Sequence, residues 1–162
     1  MSKYILILMA TFCIISCKND TGQNKKAEPA KTAKVSEPTF EMLPEPILRR
    51  MWEEAEMLDY IFHDLPFSMS QNEKPSIQAN MTYIDKYAQP NIPAGCKPAA
   101  RQFYQVEGLI ELEADVYFST GCYFYVFIID GKPKYANKMA QDGINFFNTM
   151  ISKALNAQKG IG

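Results

Sequence analysis

The chain predicts an α+β domain, a four-stranded antiparallel sheet with two N-terminal helices and one C-terminal helix packed on one face. Three observations carry that expectation. Apolar residues recur at spacings of three and four over 43–65 and 75–88, then at a spacing of two over 101–137. Within the second region, Glu107-Gly108 and Asp130-Gly131 are tight-hairpin dipeptides. Helical spacing returns with Ile144, Phe147, Ile151 and Leu155. Helices and strands grouped in runs, without alternation, make an α+β layer rather than a parallel α/β sheet.

The N-terminus is of a different kind. Lys3 is followed by an uncharged apolar run from Tyr4 to Ile15 and then by Ser16-Cys17. A basic head, about a dozen apolar residues and a small residue before a cut form a secretory signal layout. A membrane span needs roughly 20 apolar residues, and this run is shorter. Ile14-Ile15-Ser16-Cys17 resembles the bacterial lipobox. The resemblance implies that residues 1–16 are a signal peptide, and that Cys17 is acylated and becomes the mature N-terminus. Each buried CH₂ of an acyl chain contributes about 0.8 kcal/mol, so more than one chain anchors stably. Lys18 in place of Asp after the cysteine, by likeness to enteric lipoproteins, implies the outer membrane. The expected location is the cell envelope, lipid-anchored, facing the periplasm or the surface.

Within residues 17–40, the stretch from Lys18 to Thr39 is mostly Lys, Ala, Glu, Thr, Pro, Gln and Asn, with an isolated Val35. Such a stretch cannot bury enough apolar surface to offset its ordering entropy, so a flexible tether is expected, with a reach on the order of 25 Å. Residues 41–162 are then a single α+β domain. The net charge is −1, and removing residues 1–16 takes away Lys3 and no acid, making it one unit more negative. Nucleic acid, which calls for a basic face, is not an expected partner.

In the domain, Ile47, Leu48, Met51, Trp52, Ala55, Leu58, Ile61, Phe62 and Leu65 form one stripe, and the spacing predicts a helix over 43–65. Pro44 and Pro46 suit its first turn, and Pro66 stops it. A second helix is predicted over 75–88 from Ile77, Met81, Ile84 and Ala88. Residues 89–98, rich in Pro, Gly and Asn, read as a loop. Strands follow over 101–106, 109–118, 122–129 and 132–137, with Ser119-Thr120-Gly121 read as a three-residue turn. The last helix is predicted over 140–156.

Those turns imply a register. A three-residue loop pairs Phe118 with Cys122, and hence Asp115 with Tyr125 and Glu113 with Phe127. The Asp130-Gly131 turn pairs Phe127 with Lys134, and the Glu107-Gly108 turn pairs Tyr104 with Glu111. One face then carries Phe103, Leu112, Val116, Phe124, Val126, Ile128 and Tyr135 toward the core. The other carries Tyr104, Glu111, Glu113, Asp115, Tyr117, Tyr123, Tyr125, Phe127 and Lys134, with acidic, aromatic and basic rows side by side. Two readings of this second face stand open. It is a solvated surface with tyrosines shielded by Lys and Glu stems, or it is a binding surface for a glycan, a peptide or an envelope protein. A one-residue slip would invert it.

Cys96 and Cys122 remain once Cys13 leaves with the signal and Cys17 carries lipid, and two cysteines in an extracytoplasmic domain are expected to pair. His63 is the only histidine, so a multi-imidazole zinc site is excluded. No nucleophile elbow, phosphate loop or dinucleotide fingerprint is present. Alternate carboxylates along one strand stand about 6.5–7 Å apart but point the same way rather than flanking a sugar. No cofactor and no enzymatic activity are therefore expected. The lipobox, Asp130-Gly131-Lys132-Pro133 and Tyr135-Ala136-Asn137-Lys138-Met139 together resemble small envelope lipoproteins of Bacteroidota; the resemblance implies location and carries no biochemical role. The functional expectation is a membrane-anchored, non-catalytic binding or accessory module using the aromatic and charged sheet face. A structural part in envelope assembly comes second, and a hydrolase built on the acidic row a distant third.

Overall fold

Where a single helix is expected over 43–65, the chain is helical only for its first half. Helix α1 spans Glu45–Glu54, with a proline in its first turn, and ends where Ala55 turns extended at φ −61°, ψ 129°. Lys74 stands in for a cap, its Nζ donating to the Glu53 and Ala55 carbonyls at 2.7 and 3.1 Å. Met57–Phe62 is then strand β1, burying Leu58, Tyr60 and Phe62 in alternation. The computed structural model describes residues 39–159. The signal peptide expected over 1–16, the lipidated Cys17 and nearly all of the tether expected over 17–40 lie outside them.

The remaining elements are β2 (Ser68–Gln71), α2 (Lys74–Met81), β3 (Ile84–Ala88), β4 (Pro98–Val106), β5 (Leu109–Ser119), β6 (Cys122–Ile129), β7 (Lys132–Met139) and α3 (Gln141–Lys159). All seven strands join one antiparallel sheet in the order β2-β1-β4-β5-β6-β7-β3. The expected four-stranded sheet with two long N-terminal helices is thereby corrected. The second predicted helix, 75–88, likewise stops at Met81 and yields β3. In both places residues of helical spacing also fit a spacing of two, and pairing with β4 or β7 satisfies the backbone while burying alternate side chains.

All three helices lie on one face of this sheet. Met51 and Ala55 near the end of α1, Ile77 and Met81 from α2, and Phe147 from α3 pack on Leu58, Tyr104, Leu112, Tyr125 and Phe127. Trp52, assigned to the buried stripe of α1, is 40% exposed instead. Gly143 lets α3 approach closely, because a Cβ there would stand 2.7 Å from the Tyr83 Cβ and 2.9 Å from the Met139 Cγ. Phe40, placed at the end of the tether by composition, is buried on the opposite sheet face, its N–H donating to the Pro90 carbonyl at 2.8 Å.

Candidate functional site

The register differs from expectation in all three hairpins, and the widest consequence comes from one turn. Ser119 pairs with Cys122, so the β5–β6 loop has two residues, Thr120 and Gly121, rather than three. Only Gly121 takes a positive φ, +82°, as a type II turn requires at its second central position. Phe118 therefore faces Tyr123, and Asp115 faces Val126. That slip of one residue carries β6 to the other side relative to β5. The other two hairpins have the expected two-residue turns, Glu107-Gly108 and Asp130-Gly131, each with both residues at positive φ as a type I′ turn needs. Each is followed by a bulge. Tyr104 pairs with Leu112 and skips Glu111, while Phe127 pairs with Tyr135 and skips Lys134.

The predicted aromatic and charged face is consequently split. Tyr104, Tyr125 and Phe127 are fully buried beneath the helices, and Tyr123 is half-buried on the same side, edge-on to Phe118. Tyr104, Tyr125 and Phe127 line no accessible surface. Tyr117 is buried on the outer face, stacked 4.3 Å from Phe124. Glu111 and Lys134 are exposed bulge residues, and Glu111 accepts a 3.0 Å bond from Arg50 of α1. Of the acidic row, only Glu113 and Asp115 stay together. Arg101 of β4 forms a fork with Asp115 at 2.8 and 3.1 Å and reaches Glu113 at 3.4 Å. The same hydrogen bonds to Asp115 hold the Arg101 guanidinium above its ordinary pKa. Phe103, Phe124, Val126 and Ile128, assigned to the helix-covered core, are on the outer face as well.

The outer face has two halves. Over β5, β6 and β7, the side chains Tyr117, Phe124, Val126, Ile128 and Ala136 are buried together with Phe40, and Ile92 and Cys96 pack against them. Cys96 and Cys122 have Cα atoms 5.8 Å apart and sulfurs at bonding distance, so the pair is placed to form a disulfide that fastens the 89–97 loop to the start of β6. Over β2, β1, β4 and the start of β5, the face is open. Ile61 and Ile110 are 52% and 54% exposed, and Met57 and Phe103 are partly exposed. Between them Asp59 accepts from Ser70 Oγ on β2 and, at 2.6 Å, from Gln105 Nε2 on β4, a polar crossbar over three strands. These side chains bound a shallow depression of about 350 Å³.

Ile61, Phe103 and Ile110 are not among the site residues expected from the sequence. The pattern was present: Met57, Asp59 and Ile61 alternate with Leu58, Tyr60 and Phe62, the signature of a half-buried strand. A larger depression of about 520 Å³ lies at the C-terminal end of α1, rimmed by Glu53, Glu54, Glu56 and Glu107, with Lys74 engaged in capping. Among the described residues no group of three His, Cys, Asp or Glu is arranged to hold a metal ion, and no helix is long and apolar enough to cross a membrane. No protein-family model, no curated protein and no solved structure matches the chain.

Proposed function

We propose that the protein is a lipid-anchored, non-catalytic binding module of the cell envelope, and that it meets its partner with the open half of the outer sheet face. The observation that carries this reading is the exposure of Ile61 and Ile110 beside half-buried Phe103, next to a half of the same face that the chain covers for itself. Apolar residues grouped on an otherwise polar sheet face are the usual mark of an interaction surface. A disulfide between Cys96 and Cys122 accords with an oxidising extracytoplasmic location.

The chemistry of the open half favours a peptide or protein surface over a glycan. Sugar recognition needs a broad exposed ring and polar groups left free to bond. Here the carboxylates of Asp59 and Asp115 already have partners, as does the Gln105 amide, and Tyr104, Tyr117 and Tyr125, expected to stack on a ligand, are buried. What is left to offer is aliphatic area with its neighbouring charges neutralised, which suits the apolar patch of another protein. Arg101 ties Glu113 and Asp115 together as an ion-pair network rather than presenting them as acid and base, so the hydrolase reading gains no support.

Two variants test the proposal. A partner recovered with the wild-type protein from detergent-solubilised envelopes should be lost with Ile61→Asp/Ile110→Asp and kept by Lys134→Glu. Retention by the double variant, with its fold intact by circular dichroism, would sink the surface assignment. Separately, Cys17→Ala should move the protein from the membrane pellet to the soluble fraction.

A further inference from the structure

The helix-covered core contains polar groups that its protein neighbours do not satisfy. Tyr60, Tyr104 and Tyr125 are fully buried and Gln102 is 1% exposed. Tyr60 donates to Asn80 Oδ1, and Asn80 Nδ2 in turn donates to Gln71 Oε1 at 2.6 Å and to the Ser76 carbonyl at 2.9 Å. Gln102 Oε1, the Tyr104 hydroxyl and the Tyr125 hydroxyl have no hydrogen-bond partner among the described residues. Leaving one such group dry costs about 1–3 kcal/mol, and three in one core is a heavy burden for a domain of this size.

These groups share one region. Tyr60 pairs with Gln102 across β1 and β4, and Gln102 pairs with Ala114 of β5. Tyr104 is two residues along β4 from Gln102, on the same face. Tyr125 projects to that face from β6, opposite Val116, in the row next to the one that Gln102 and Ala114 share. Ala100 and Ala114, also buried, are the small side chains among them. Burial raises the pKa of all three phenols, and nearby Tyr104 and Tyr125 raise that of Tyr60 further, as neighbouring hydroxyls would.

We infer that the core encloses bound water, hydrogen-bonded to Gln102 Oε1 and to the hydroxyls of Tyr104 and Tyr125. The donor and acceptor arithmetic fits a water molecule. Each tyrosine hydroxyl can donate to a water oxygen, and a water proton can go to Gln102 Oε1. A buried water with about three bonds is what a polar site inside a globular protein ordinarily holds.

The test uses the full chain in detergent micelles. Proton NMR should show cross-relaxation between water and the hydroxyl protons of Tyr104 and Tyr125. The substitutions Tyr104→Phe and Tyr125→Phe keep the rings while removing one partner each. At a hydrated site each leaves a bound water short of a bond, and Tm should fall by about 3–6 °C. At a dry site each removes an orphan hydroxyl, so Tm would hold or rise. An unchanged or raised Tm in both variants, or hydroxyl protons without contact to water, overturns the inference.

Discussion

The two faces of this sheet are closed by different means. Three helices cover the inner face and bury Tyr104, Tyr125 and Phe127. Among the described residues no helix covers the outer face. Over β5 to β7 it is sealed by Phe40, the 89–97 loop and the Cys96–Cys122 pair, with the Ala136 backbone clamped between Glu41 and Gln89 at 2.8 and 2.9 Å. Over β2, β1 and β4 the described chain leaves it open. Amphipathic helices bring their own apolar area, whereas a loop without helical or strand periodicity needs a covalent or backbone tie to hold it against a strand. The closed outer half is therefore where stability hangs on a few contacts, and the open half is where substitution is cheap.

The largest expected effect probes the inner face. Burial, chiefly, holds Tyr60, Tyr104 and Tyr125 above the ordinary tyrosine pKa. Because the folded values are raised, their contribution is fully present below about pH 10, the unfolded value, and is lost as pH climbs toward the folded values. Each phenol then subtracts about 1.4 kcal/mol per pH unit, so unfolding should be steep above pH 10. Tyrosinate absorbance should appear together with loss of the near-ultraviolet circular dichroism. Tyrosinate forming gradually in a folded protein would show that the inner face admits solvent.

Next comes the seal of the outer face. The sequence separation of 26 between Cys96 and Cys122 makes the link worth about 3.5 kcal/mol by loop entropy. Cys96→Ala/Cys122→Ala should lower the urea midpoint accordingly and speed proteolysis in the 89–97 loop. Phe40→Ala should cost about 3 kcal/mol in the same assay. The smallest effect belongs to the open half, where Ile61→Ser should change stability by less than about 0.5 kcal/mol. A large loss there would mean that the surface is covered after all.

Much of the central sheet was legible in the order of residues. The Glu107-Gly108 and Asp130-Gly131 turns have one favoured geometry, the 109–118 strand has clean alternation, and the cysteine pair follows from counting. The two outer strands on the N-terminal side were not. Leu58, Ile61, Phe62 and Leu65 continue the helical stripe of α1 as readily as Leu58, Tyr60 and Phe62 make a strand, and no glycine or proline marks the change at Ala55. The choice is made by β4, whose edge β1 completes. The candidate site suffered most, because one residue in the length of the turn after Ser119 moved Tyr125 and Phe127 from the acidic side of the sheet to the opposite one.

Local chemistry by itself determined the lipobox-like N-terminus, the two Asx/Glu-Gly hairpins, the cysteine partnership and the amphipathic C-terminal helix. Each depends on neighbours in sequence, on the backbone freedom of glycine or on simple elimination. Only the tertiary structure decided which aromatics are interior, where the bulges at Glu111 and Lys134 fall, and which half of the outer face stays open. Those outcomes depend on strand partners far away in the chain. Side chains in a strand alternate with a period of two, so a single-residue change in register is enough to exchange inside for outside.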